Sequence, residues 1–525
     1  MMGAETAPAG PDFTLGVAVS AIPEGGTLAG RVADEPVLLS RFDDAYYAVG
    51  GACTHYGAAL ASGLVDGNRI FCPLHHACFD LRTGRALRAP ALDPLPRWRV
   101  VVEAGNAYVR EHDSADTAPT LRSDVDRILI VGGGAAALAC ADALRGLGYA
   151  GGIRMLSADR DPPYDRPNLS KDYLAGTAPE AWLPLRAADW FRDRNVELLL
   201  KTEIVRIDGE ERVAHSAAGE DFRFDRLLLA TGSEPRRLDA PGFDRDNVFT
   251  LRSLADARAI AHEARAGARA VIIGSSFVGL EAAAALRQRE VEVDIVSVEQ
   301  VPFSQLLGPG IGGYFRRLHE AQGVRFHMDV VASSFDGSLV HLADGSRLAA
   351  DFVLVGIGVR PRTELARTAG LAVADGVWVD RHLQTACAGI FAAGDIAAYP
   401  DPSGERIRIE HWVTAERQGQ TAAANMLGLD RPFDVVPFFW TAQYGTVLRY
   451  VGRAPKWDAL RIEGDIEAGQ FTARYYEANI LKASASIGRD RDNLEDEGRL
   501  EATQSGGRCA GAGTATASRH PIASA

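Results

Sequence analysis

The chain of 525 residues carries a formal net charge of −13, is 47% hydrophobic and 24% charged, and holds six cysteines. That length exceeds a single hydrophobic core, and the acidity argues against nucleic acid or an anionic membrane as partner, since phosphate binding needs clustered Lys and Arg. No apolar run reaches membrane-spanning length, the opening MMGAETAPAGPDF lacks the pattern of a signal peptide, and the cysteines are too sparse for a disulfide scaffold; a cytoplasmic protein without membrane insertion is expected.

Residues 1–12 read as a disordered start. Residues 13–111 read as all-β: short alternating runs such as PVLLSRF, AYYAVG and WRVVVEAGNAYVR, punctuated by Gly, Asp and Pro. The polar, Pro-containing segment 112–126 reads as a linker. From Arg127 the texture changes to strand-then-helix units, RILIVGGGAAALACADALRGLGY and ARAVIIGSSFVGLEAAAALRQREVEVDIVSVE. Such βαβ units imply parallel sheets with helices on both faces, and two starts imply two related nucleotide-binding domains. Residues 432–497 return to strands as a small α+β module, and the Gly/Ala-rich segment 498–525 reads as a disordered tail.

The all-β segment holds Cys53 and His55, then, after sixteen intervening residues, Cys72 and His75. Two thiolates and two imidazoles could hold a tetrahedral zinc. Zinc fingers, however, usually pair cysteines in one knuckle and histidines in a helix, whereas here each hairpin loop supplies one of each. That mixed pairing suits a [2Fe–2S] cluster with two Cys on one iron and two His on the other. The pattern C-x-H-x16-C-x-x-H, followed by FD and TG, resembles the Rieske ferredoxin family over nearly all of 13–111. The resemblance implies that Cys53 and Cys72 bind one iron and His55 and His75 the other. His76 stands where the family usually has Gly, and is expected to be exposed or to lie behind the ligands. Ala58 and Leu74 stand where high-potential relatives have a loop disulfide, which implies a cluster at the reducing end of the Rieske range. Cys78 is expected to pack as a small hydrophobe.

In the second segment Gly132 and Gly134 permit a tight turn and close approach of a pyrophosphate to a helix N-terminus, with Ala137 in the third position. Asp159 ends the next strand, where an acid can accept from ribose hydroxyls. With PPYDRPNLSK, LLLATGSEP and GIFAAGDIA following in order, the chain resembles the FAD-dependent pyridine nucleotide reductases of the ferredoxin reductase and apoptosis-inducing-factor-like branch. The resemblance implies an FAD domain in two parts (127–239 and 358–431), with an NAD domain (240–357) inserted between them and 432–497 as the reductase interface or dimerisation module. It places Arg166 and Lys171 beside the flavin, Thr231 and Gly232 where the chain passes between nucleotide domains, and Asp395 on the ribityl chain. A simpler reading of Asp395 is a helix N-cap after Gly394. Trp412 is expected near the flavin at a helix N-terminus, and Trp440 as either core or functional aromatic.

In VIIGSSFVGLE, Gly274 and Gly279 flank Ser276, which replaces the middle Gly. Glu299 ends the next strand, placed to bind an adenosine ribose 2′-hydroxyl and to repel a 2′-phosphate. The resemblance pairs Glu281 with Lys171. Isolated Cys140 and Cys387 exclude a disulfide reductase with C-x4-C beside the flavin. The expected function is an NAD(P)H-dependent FAD oxidoreductase of ferredoxin reductase type, monomer or homodimer. Electrons from NADH would pass through FAD and the fused [2Fe–2S] cluster to an acceptor protein such as a ferredoxin, oxygenase or cytochrome. The alternative is an apoptosis-inducing-factor-like redox-sensing flavoprotein.

Overall fold

A computed structural model describes residues 10–113 and 123–506. The expected disorder of residues 1–9, the linker core 114–122 and the tail 507–525 lie outside the described residues. Among the described residues no helix is long and apolar enough to cross a membrane.

The N-terminal domain pairs a six-stranded antiparallel sheet, built from the strands between Val17 and His112, with a four-stranded one of Leu64–Asp66, Arg69–Phe71, Cys78–Asp80 and Ala86–Arg88. In the strand Glu35–Phe42 the side-chain period of two divides the core: Val37 and Leu39 pack with Phe13 and Trp98, while Leu38 faces Val49, Leu60 and Phe79. That second core lies beneath the two Cys/His loops.

The next two domains are parallel sheets. The first orders Val196–Leu199, Gly152–Leu156, Arg127–Val131, Arg226–Leu229 and Ile390–Ala392, so its last strand arrives after a long excursion. The excursion is the second parallel sheet, of Val248–Phe249, Phe352–Val355, Arg269–Ile273, Glu292–Ser297 and Arg325–Met328. The antiparallel pair Ser233–Pro235 with Val359–Pro361 marks where the chain leaves and returns. Gly419, in the helix Trp412–Met426, lies so close to the helix Ala135–Gly146 that an added Cβ would stand 2.2 Å from the Ala136 carbonyl oxygen. Glycine and alanine there let two backbones meet under the cofactor-side turn.

The C-terminal module is a five-stranded antiparallel sheet, from Phe438–Gln443 to Ile480–Ile487, covered by the helix Asp490–Gly506. This corrects the expectation that a disordered tail begins at Gly498. The helix carries few apolar residues, but Leu494 and Leu500 are buried, and Asp496 and Glu497 are buried against Arg474 and Arg417. Ion pairs rather than an apolar stripe hold it down.

Candidate functional site

The two Cys/His loops repeat one hydrogen-bond pattern. Cys53 N–H donates to the Ala58 carbonyl and Gly57 N–H returns to the Cys53 carbonyl, both at 2.8 Å. In the second loop Cys72 N–H donates to Ala77 (2.8 Å) and His76 N–H returns to Cys72 (3.1 Å). Gly57 and His76 therefore hold equivalent places, and both have positive φ, 72° and 59°. The Cys53 and Cys72 thiols hydrogen-bond each other, and the Nδ1 atoms of His55 and His75 approach to 3.1 Å. Burial holds both imidazoles neutral, pulling His55 down to about 3 and His75 well below its ordinary value. Cys72 is lowered by the bond from Cys53 and, against burial, by the backbone N–H groups of Leu74 and His75.

Two paired thiols and two paired imidazoles are the donor set that would suit a [2Fe–2S] cluster. Cys78 is buried against Phe71 and Leu494, and burial raises its thiol to about 11. It packs; it does not ligate.

A cavity of about 1180 Å³ runs between the two parallel sheets. Gly132, Gly134, Asp159, Arg166, Lys171, Thr231, Gly232, Gly279, Asp395 and Trp412 all line it. Gly132 has φ 134°, and a Cβ there would meet the Ala230 carbonyl oxygen at 2.2 Å, so only glycine makes this turn. Gly134 caps the helix Ala135–Gly146 without a side chain and leaves its N-terminus bare, with Arg166 beside it. Arg166 Nε is buried without a partner among the described residues, and burial and the Arg252 cation pull that guanidinium below its usual range. A cation short of an anion beside a free helix N-terminus fits a pyrophosphate.

Burial alone would raise Asp395, yet Arg252 at 2.6 Å, the Ser233 hydroxyl at 2.7 Å and nearby Arg166 hold it below its ordinary value. No helix follows it; a strand, Ala397–Pro400, does, so the helix-cap reading is corrected. Asp159 accepts from the Tyr164 hydroxyl at 3.1 Å. Lys171 Nζ lies 2.8 Å from Glu281 Oε2, and Glu281 also accepts from Ser170 and Thr441.

Three residues do not reach the cavity wall. Ala137 is fully buried among helix and strand side chains, so its small size serves packing, a correction to its expected cofactor contact. Gly274 has φ 105°, and a Cβ there would meet the Gly356 carbonyl oxygen at 2.5 Å; it shapes the turn. Glu299 is half-buried and accepts from the Ser275 hydroxyl at 3.1 Å.

The N-terminal domain is seated on this assembly. The His75 ring lies 4.2 Å from Trp440, between centroids, and Trp440 also lines the cavity. Tyr56, stacked on His55 at 4.0 Å, donates its hydroxyl to Asp165. Arg449 donates to the Leu74 carbonyl at 2.8 Å. His76 is fully buried rather than exposed: it stacks on Phe438 at 4.1 Å, and its Nδ1 lies 2.7 Å from Glu497. Burial would raise Glu497, but His76, Arg417 and Arg88 hold it far below its ordinary value. Arg252, Arg417 and Glu497 lie in none of the motifs quoted above, and Asp165, although inside PPYDRPNLSK, was given no role; sequence reasoning missed all four.

Three family matches follow the chain in order: Rieske [2Fe–2S] domain over residues 14–99, pyridine nucleotide-disulphide oxidoreductase over 126–419, and reductase C-terminal over 438–505. The chain is a pyridine nucleotide-disulphide oxidoreductase, FAD-binding, with a fused Rieske [2Fe–2S] domain. Within that class it belongs to the apoptosis-inducing factor 3 and ferredoxin reductase family. Human (Homo sapiens) apoptosis-inducing factor 3 is 35% identical over 476 residues, 86% of this chain and 78% of that one. The biphenyl dioxygenase system ferredoxin–NAD(+) reductase component of Paraburkholderia xenovorans is 37% identical over 350 residues, 66% of this chain and 86% of that one. The crystal structure of the covalent putidaredoxin reductase–putidaredoxin complex matches with a TM-score of 0.70 at 31% identity, covering 72% of this chain and 94% of that one.

Proposed function

We propose that the chain oxidises NADH and delivers the electrons through its own Rieske centre to an acceptor protein such as a ferredoxin, an oxygenase or a cytochrome. The observation that carries this reading is Trp440, which lines the cofactor cavity on one side and meets the His75 ring on the other. When bound, FAD accepts a hydride from NADH as an electron pair and the [2Fe–2S] cluster carries single electrons.

The chain's own residues bind, orient and shield. Gly132 and Gly134 bring backbone N–H groups to the pyrophosphate, and Arg166 neutralises it. Asp159 accepts from the adenosine ribose, and Asp395, kept ionised by Arg252, accepts from the ribityl chain. Thr231 and Gly232 shape the crossing between the two nucleotide domains. The Lys171–Glu281 pair would hold a cation at the cavity wall beside the flavin and nicotinamide, and Trp412 would line the flavin's site as well. Cys53, His55, Cys72 and His75 hold the cluster, with His75 toward the reductase.

Glu299, held by Ser275 outside the cavity wall, would accept from the ribose hydroxyls of an NADH whose adenosine end extends past that wall, and would oppose a 2′-phosphate. NADH should therefore be preferred over NADPH, and Glu299→Ala should narrow the ratio of kcat/KM values. Equal wild-type use of both would reduce Glu299 to a surface carboxylate. The main reading is tested by anaerobic titration with NADH. Flavin absorbance and the cluster's rhombic EPR signal should both report reduction, and zinc in place of iron would refute it.

A second reading, redox sensing or signalling, has its own support: two relatives that match 86% of this chain bear the name apoptosis-inducing factor 3. Under that reading NADH reduces both centres, but no ferredoxin, oxygenase or cytochrome is turned over at a useful rate.

A further inference from the structure

The two cluster loops share a backbone but not a fate. At the turn position the first loop has Gly57, exposed, with nothing within 4 Å of where a Cβ would stand. The second has His76, a residue with a Cβ held at φ 59° and fully buried. A non-glycine residue in that region persists only where its surroundings over-determine it. Here those surroundings come from two other domains.

Glu497, on the C-terminal helix, faces His76 at 2.7 Å, Arg417 at 3.0 Å and Arg88 at 3.5 Å. Arg417, on the helix Trp412–Met426, is itself buried, and donates to the carbonyls of His76 (3.0 Å) and Ala89 (3.2 Å). Arg88 pairs with Glu501 at 2.7 Å. Two guanidiniums thus meet two carboxylates at a junction of three domains. Phe438 and Leu494 seal it, stacking on His76 and packing on Phe71 and Cys78.

We propose that this buried junction, keyed by His76, makes the chain's own Rieske domain a fixed resident of the reductase face formed by Phe438, Trp440, Arg449, Leu494 and Glu497, and so closes that face to an outside [2Fe–2S] protein. The inference deepens the proposed electron route but concerns where the domain sits, and its first readout needs no turnover. A charge pair desolvated this fully acts mainly on dissociation. Held less firmly, the domain would exchange between docked and free positions.

The test is hydrogen–deuterium exchange on the full-length protein loaded with FAD and iron, as wild type, His76→Gly and Glu497→Ala. Glu497→Ala lies far along the chain from the cluster ligands, so it guards against loss of the cluster in the first variant. In wild type, peptides covering 71–79, 434–443 and 490–501 should be protected together. Both variants should speed exchange in all three at least tenfold, while peptides of the two parallel sheets stay unchanged. Rapid exchange of the three segments in wild type, or no change in either variant, would overturn the proposal. With putidaredoxin as an external probe, NADH-driven reduction should be at least tenfold faster in both variants than in wild type. Equal or slower reduction would overturn the closure of the face.

Discussion

The two Cys/His loops obey the same backbone chemistry, yet one tip lies half open and the other is sunk in the reductase. The first reaches its neighbour with the Tyr56 hydroxyl, which donates to Asp165. The second is held by Trp440, Phe438, Arg449, Arg417 and Glu497. Spacing and hydrogen bonds along the chain specify what a loop can hold. Side chains hundreds of residues away specify what it is held against.

Three substitutions bear on that difference. Arg417→Ala would leave Glu497 buried beside His76 with only Arg88 as cation. Removing one partner of a buried pair costs about 3–5 kcal/mol, which should appear as a lower midpoint in chemical denaturation. A loss no greater than that at an exposed pair such as Arg99–Glu111 would mean the junction is wet and weak. Gly57→Ala meets no neighbour, so it should cost only the left-handed backbone, about 1–2 kcal/mol, with iron content and cluster spectrum unchanged. A larger cost would show that the open loop is packed in solution.

Tyr56→Phe should be the mildest, removing one hydrogen bond at about 1 kcal/mol. Burial already raises the Asp165 carboxyl, and the Tyr56 hydroxyl partly offsets this. A raised carboxyl loses stability as pH climbs from its ordinary range through the raised value. The Phe variant should therefore be weakened more at pH 7 than at pH 4, and denaturation at the two values would show an inverted order if the bond does not hold the charged form.

The paired Cys/His loops and the first glycine turn were legible in the sequence because local spacing sets them: Cys53 and His55, like Cys72 and His75, sit at short offsets in loops of one backbone pattern, and Gly132 has no alternative at φ 134°. The place of His76 was not legible, since its partners lie on helices beginning at Trp412 and Asp490. The C-terminal helix escaped for a related reason: Leu494 and Leu500 make a thin apolar signal, and buried ion pairs leave no periodicity. Asp395 after Gly394 imitates a helix cap, but a strand follows it and it lines the cavity, tied to Arg252 and Ser233. Ala137 satisfies a motif position whose physical demand is tight packing rather than contact.

The central claim is that electrons leave through the Rieske centre and not directly from the flavin. On this account Cys72→Ser removes a cluster ligand, while the nucleotide domains keep their own cores. With NADH in excess, this variant should still reduce ferricyanide, a small acceptor, at a rate near wild type. Its reduction of cytochrome c should fall on the order of 100-fold, the advantage lost with an intramolecular relay. Cytochrome c reduction at the wild-type rate in cluster-free protein would contradict the account.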